Sequence, residues 1–156
     1  MIDKVPITRQ GWEKLRQELQ NILAVERPKN IKAIEEARSH GDISENAEYH
    51  AAKERQSFLE NKINELESAI SRSDVIEIDD DPKEKVVFGA TVALRNILKG
   101  ENVSYQLVGA YESEPESGKI SVTSPLGRAL IAKEEGDCVT IKTPSGVQEF
   151  EILEIT

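Results

Sequence analysis

Two carboxylates stand three residues apart in a short polar segment, His40-Gly41-Asp42-Ile43-Ser44-Glu45-Asn46-Ala47-Glu48-Tyr49-His50. Hard oxygen ligands of this kind suit a cation such as Mg²⁺. Asp42 and Glu45 are too few for a dedicated cage, so they fit a metal whose remaining ligands come from elsewhere. The same Asp-x-x-Glu spacing at a helix start is also that of a capping box, with Asp42 as N-cap and Glu45 reaching back to its amide. From spacing alone, capping is the commoner explanation. Two histidines with no cysteine beside them do not make a private metal site. His40 reads as loop surface and His50 as helix face. Glu48 is a secondary acidic candidate one turn beyond Glu45, and Tyr49 is expected to pack into a seam.

Two helical runs must position this segment. From Thr8, a plausible N-cap, to about Arg38 the chain reads as helix, with Leu15, Leu19 and Ile22 in the rhythm of a coiled-coil seam. Pro28 removes a backbone donor, which predicts a kink or a phase shift there. Ile31, Ile34 and Ala37 resume the stripe. Glu45 to about Ser73 contains no Gly or Pro, and Ala52, Leu59, Ile63, Leu66 and Ile70 follow a near-heptad pattern. The stop-and-restart signals over 39–44 join the runs as antiparallel neighbours. At about 1.5 Å per residue each arm is roughly 45 Å long. The apex is polar and acidic: Ile43 is its single apolar residue between Ser39 and Asn46.

The charged, proline-containing stretch 77–85 reads as a linker, and beyond it the period changes to two. Strands are predicted around Val103–Leu107, Val139–Lys142 and Phe150–Ile152, with a turn at Thr143-Pro144-Ser145-Gly146. Ser124-Pro125 opens a short helix over 126–132. Cys138, the one cysteine, is expected to be a buried small hydrophobe. The fold class is therefore α+β: an antiparallel coiled-coil hairpin over 1–76, a linker over 77–85, and a small antiparallel-sheet domain with one short helix over 86–156.

Composition limits the function. The 156 residues include 38% hydrophobic, 4% aromatic and 31% charged side chains, with a net charge of −9. No apolar stretch approaches the length of a membrane span, and the first residues lack the apolar core of a signal peptide, so a cytoplasmic protein without membrane contact is expected. One cysteine excludes an internal disulfide framework. Residues 1–78 carry 12 Lys and Arg against 15 Asp and Glu, a balance of −3, and residues 79–156 carry 8 against 14, a balance of −6. Such a chain is not built to capture free nucleic acid through phosphates. It can still reach a nucleic-acid enzyme through that enzyme's protein surface.

The stretch from Glu36 to Gln56 (EARSHGDISENAEYHAAKERQ) resembles the coiled-coil apex of the Gre transcript-cleavage factors. Val87-Phe-Gly-Ala-Thr-Val92, the stretch Ser121 to Asp137, and Val139 to Gly146 resemble segments of that family's C-terminal domain, in order and along nearly the whole chain. The resemblance implies a C-terminal domain similar to the FK506-binding prolyl isomerases. It implies a monomeric partner of RNA polymerase that enters the secondary channel and stimulates cleavage of backtracked, extruded 3′ RNA, without turnover of its own. On that resemblance, Asp42 and Glu45 carry the catalytic role, helping to hold a second Mg²⁺ and the attacking water jointly with the polymerase. Arg38 and Lys53 contact the extruded RNA, and Ser124, Pro125 and Leu126 belong to the docking surface. By charge pattern alone, Arg38 and Lys53 read as solvated coiled-coil surface. Capping and core packing explain Ser124 to Leu126 equally well.

Three rivals are distinguishable. A prolyl isomerase needs a concave aromatic-lined site, and residues 79–156 offer only Phe88, Tyr105, Tyr111 and Phe150. A coiled-coil chaperone needs an apolar tip. Inhibitory relatives of the Gre factors carry a more crowded acidic tip than the Asp-x-x-Glu pair. A sibling branch of the Gre factors is more basic along the coiled coil, so with a −3 balance over residues 1–78 the chain resembles the GreA type of that family.

Overall fold

The computed structural model describes residues 3–42 and 45–156; Ile43 and Ser44, part of the expected apex, lie outside the described residues. The chain forms two compact units, Trp12–Arg72 and a second composed of Met1–Gly11 with Ser73–Thr156. The expected boundaries at 76 and 86 thus differ from the observed division, because the first residues join the C-terminal half.

In the first unit, helix α1 (Arg9–Asn21) runs through a π-helical turn (Ile22–Glu26) into α2 (Arg27–Arg38), and α3 (Ala47–Arg72) forms the other arm. Pro28 sits in the first turn of α2, and the N–H of Arg27 bonds five residues back to the Ile22 carbonyl. The predicted phase shift is therefore a π-turn. Twelve residues separate Ile22 from Ile34, which at 100° per residue leaves them about 120° apart; the extra residue held in the wide turn reduces this to about 20°. That keeps both on the seam. The same correction brings Asn30 from about 80° to about 20° from Ile22 and leaves Ile31 about 80° away: Asn30 is buried and Ile31 is exposed.

Asn30 donates its side-chain N–H to the Ala52 carbonyl at 3.0 Å. Around it the seam buries Ile22, Ala37, Ala52, Leu59, Ile63, Leu66 and Ala69, with Leu15 and Leu19 packed against them. Ala69 is the buried residue at the end of α3, and Ile70 is half-buried. Ion pairs Lys62–Glu18, Arg27–Glu60 and Arg55–Glu26 flank the seam. Glu18 pairs with Lys62 and the later Glu26 with the earlier Arg55, and Asn30 reaches Ala52, the sense an antiparallel hairpin requires.

The second unit holds two sheets. Strands β1 (Val5–Thr8) and β2 (Ser73–Ile76) pair in parallel, Val5 opposite Ser73 and Thr8 opposite Ile76. Strands β3 (Thr91–Asn96), β4 (Glu101–Val108), β5 (Lys119–Ser121), β6 (Cys138–Thr143) and β7 (Gly146–Ile155) form a five-stranded sheet in the order β5-β4-β3-β7-β6. Its pairs are antiparallel, as expected of the small sheet domain, with one parallel pair, β4–β5, at the edge. Helix α4 (Pro125–Leu130) lies where the Ser-Pro signal placed it. One aliphatic core, including Val92, Leu94, Leu107, Leu130, Phe150 and Ile152, fills this domain. Cys138 is exposed, not buried: Val139 points into the core, and strand alternation turns its neighbour outward.

Thr8 caps α1, its hydroxyl accepting the Gly11 N–H at 3.0 Å. Glu112, in a 3₁₀ turn (Ala110–Glu112), accepts the N–H groups of Thr8 at 3.0 Å and Gly109 at 2.8 Å and also bonds the Thr8 hydroxyl.

Candidate functional site

The apex is organised by Asn46. Its side-chain oxygen accepts the Tyr49 N–H at 3.1 Å and its carbonyl accepts the His50 N–H at 3.1 Å, which makes it the N-cap of α3. Its amide nitrogen donates to the Ala37 carbonyl in the last turn of α2. The capping box expected of Asp42 and Glu45 is corrected by this: the helix starts at Ala47, four residues later than that motif requires. Asparagine ranks with aspartate as an N-cap, and Asn46 lies directly before the uninterrupted helical run. Its amide also reaches the other arm, which Asp42 has no donor to do as a carboxylate.

Asp42 and Glu45 are both exposed. They line one open recess of about 420 Å³ together with His40, Asn46, Ala47 and Glu48. His40 Nδ1 lies 3.1 Å from a Glu48 carboxylate oxygen, so the secondary acidic candidate is engaged with the loop histidine. The donor set that Asp42 and Glu45 offer is hard oxygen on an open surface. This fits Mg²⁺, which keeps several waters and takes one or two protein carboxylates. Among the described residues, no group of three or more His, Cys, Asp or Glu side chains is arranged to hold a metal ion by itself.

Arg38 and Lys53 flank the apex on opposite arms, both exposed. The Arg38 guanidinium lies 6.0 Å from the centre of the Tyr49 ring, and Lys53 donates to the Gln56 side chain at 2.8 Å. Tyr49 is half-buried, with the His50 ring edge-on at 5.7 Å. The tip is therefore a set of acids with one cation on each arm.

In the second unit, Ser124 caps α4. Its hydroxyl accepts the Gly127 N–H at 3.1 Å and donates to the Ser121 carbonyl at 2.6 Å. Leu126 is half-buried against the core, and Pro125, at the first helical position, is the exposed member of the three. Gly127 has no room for a side chain, since a Cβ there would stand 2.1 Å from the Ser121 carbonyl oxygen. The Ser124 cap and the buried Gly127 thus leave Pro125 outward.

Asn46 and Asn30 are the positions that reading by residue type passed over. For Asn46 the available signal was an asparagine immediately before a helix-forming run. For Asn30 there was none without knowledge of the π-turn.

Comparison with known proteins is consistent along the chain. The family described as "Transcription elongation factor, N-terminal" matches residues 5–75, and that described as "Transcription elongation factor, GreA/GreB, C-term" matches residues 81–156. The transcription elongation factor GreA of Syntrophobacter fumaroxidans is 51% identical over 152 residues, covering 97% of each chain. That of Alkalilimnicola ehrlichii is 52% identical over 155 residues, covering 99% of this chain and 98% of the relative. The solved structure of GreA factor homolog 1 of Thermus thermophilus is 31% identical, covers 98% of this chain and 99% of its own, and superposes with a TM-score of 0.43. With both halves matched and half of all positions identical to full-length relatives, the chain belongs to the GreA/GreB family of transcription elongation factors.

Proposed function

We propose that this chain binds RNA polymerase, carries its hairpin tip to the polymerase active centre, and stimulates cleavage of backtracked RNA so that elongation resumes. The observation that carries the reading is the exposed pair Asp42 and Glu45 at an apex whose helix is capped by another residue, Asn46. Neither acid is the cap of α3, and both face a common open recess.

Asp42 and Glu45 would hold Mg²⁺ jointly with polymerase carboxylates, and bound there the ion would stabilise charge on the attacking and leaving oxygens of an in-line displacement. The chain's own part is to bring two anionic oxygen ligands and to keep them oriented. Arg38 and Lys53 offset the acidic tip and contact phosphates of the extruded 3′ RNA, which an acidic apex alone repels. Pro125, held outward by the Ser124 cap and the buried side of Leu126, contributes to docking on the polymerase. The chain acts as a monomer in the cytoplasm, and it does not hydrolyse RNA without polymerase.

The test is a stalled, backtracked polymerase complex with Mg²⁺ and this protein. Shortened transcripts are expected with the unmodified chain and not with Asp42→Asn or Glu45→Gln. Variants that bind polymerase and still cleave normally would refute the assigned role.

A further inference from the structure

The two arms exchange side-chain amides. Asn30 of α2 donates to the Ala52 carbonyl on α3 at 3.0 Å, and Asn46 at the start of α3 donates to the Ala37 carbonyl of α2. Both acceptors belong to buried alanines, whose small side chains leave the backbone within reach of the opposite arm. Asn46 differs from Asn30 in having a second bond, the cap to Tyr49. Its two ends are therefore committed to two different helices.

The bond to Ala37 spans nine residues of sequence and closes a loop that contains both Asp42 and Glu45. Glu45 is also the direct chain neighbour of the bridging residue. The Ala37 carbonyl additionally accepts the His40 N–H at 3.2 Å, so the end of α2 and the start of α3 meet at one oxygen.

We propose that Asn46 is the positioning residue of the tip: by capping α3 and bonding the last turn of α2 at once, it sets where Asp42 and Glu45 stand relative to both arms. This rests on the cleavage reading above. Asn46 itself touches no reacting atom. Its effect is on how well the two acids meet a metal, and so on the metal concentration at which the tip works.

Asn46→Ser separates the two bonds. Serine is a good N-cap, but its hydroxyl is too short to reach Ala37. Asn46→Ala removes both. The full-length variants are compared in backtracked complexes over a range of Mg²⁺ concentrations, with polymerase binding measured by competition and helix content by circular dichroism. For Asn46→Ser, helix content and polymerase binding match the unmodified chain. The Mg²⁺ concentration for half-maximal cleavage rises about tenfold or more, the range seen when groups supporting metal ligands are removed. Asn46→Ala shows the same Mg²⁺ shift together with a lower melting temperature.

An unshifted Mg²⁺ dependence for Asn46→Ser would overturn the proposal, as would a loss of cleavage that follows a loss of polymerase binding. Asp42→Asn serves as the control. If it abolishes cleavage while Asn46→Ser changes nothing, the cleavage reading stands and the positioning role falls. If Asp42→Asn cleaves normally, both fall.

Discussion

Glu112 accepts the main-chain N–H of Thr8 at 3.0 Å and bonds the same residue's hydroxyl, so a carboxylate from a 3₁₀ turn anchors the residue that caps α1. The other hydrogen bond to that carboxylate comes from the Gly109 N–H. Glu112→Ala strands these donors in a half-buried place. We expect a loss of about 1–3 kcal/mol of stability, the cost of buried groups left without partners, read from urea unfolding midpoints. Unchanged midpoints would show that water replaces the carboxylate without penalty.

Gly109 tests the same junction by volume. A Cβ there would stand 1.9 Å from the Pro6 carbonyl oxygen, which is backbone and has no rotamer to yield. Gly109→Ala is expected to cost about 1–3 kcal/mol through overpacking. A melting temperature equal to that of the unmodified chain would mean that strand β1 shifts freely.

Asp42→Asn and Glu45→Gln separate function from folding. Because Asn46 caps α3, neither change should move stability by more than about 0.5 kcal/mol, whereas on the proposed function each is expected to abolish cleavage stimulation at limiting Mg²⁺, read from transcript lengths in backtracked complexes. A clear fall in melting temperature for Asp42→Asn would restore the capping-box explanation.

Adjacent residues on α3 should behave oppositely. Leu59 is 2% exposed and Phe58 is 56% exposed. Leu59→Ala should cost about 2–5 kcal/mol, the range for emptying a buried leucine site. Phe58→Ala should cost at most about 1 kcal/mol, chiefly its contact with Arg55. Equal losses at both positions would mean that the seam is misassigned.

The Arg9–Glu77 pair gives a pH signature. The hydrogen bond from Arg9, helped by its charge, holds the Glu77 carboxyl below a glutamate's ordinary 4.5. A depressed carboxylate pKa adds stability above 4.5, and that stability is lost as pH falls through the folded value. The pair is exposed, so the effect on global stability is small. A carboxyl titration followed by NMR should place the Glu77 midpoint below 4.5, and Arg9→Gln should return it there. Identical midpoints in the two proteins would show that the pair does not persist in solution.

The helical arms, the strands around Leu107, Ile141 and Ile152, and the α4 cap were legible because period and capping chemistry are local properties. β1 and β2 were not. Val-Pro-Ile-Thr and Ser-Asp-Val-Ile are four residues each and pair across the entire hairpin, so neither carries a period long enough to read. Ile31 was misplaced because the size of the phase shift beyond Pro28 is not a local property of the sequence: the π-turn puts Asn30, not Ile31, within about 20° of Ile22. Cys138 was misplaced because its side of the strand depends on which neighbour faces the core. At the tip, residue types made Asp42 and Glu45 candidates, with spacing alone favouring a capping box. Geometry was needed to find that Asn46 caps the helix and bridges the arms.

The π-turn at Ile22–Glu26 makes length and phase separate quantities in the first arm. In an unbroken α-helix, one added residue advances the tip by about 1.5 Å and rotates everything beyond it by about 100°. Here the extra residue is absorbed in a widened turn, and the face beyond it is preserved. Removing one residue from that turn should give a regular helix with the same side still toward its partner. The arm can thus gain or lose one residue at this turn with neither its reach nor its apolar face recut.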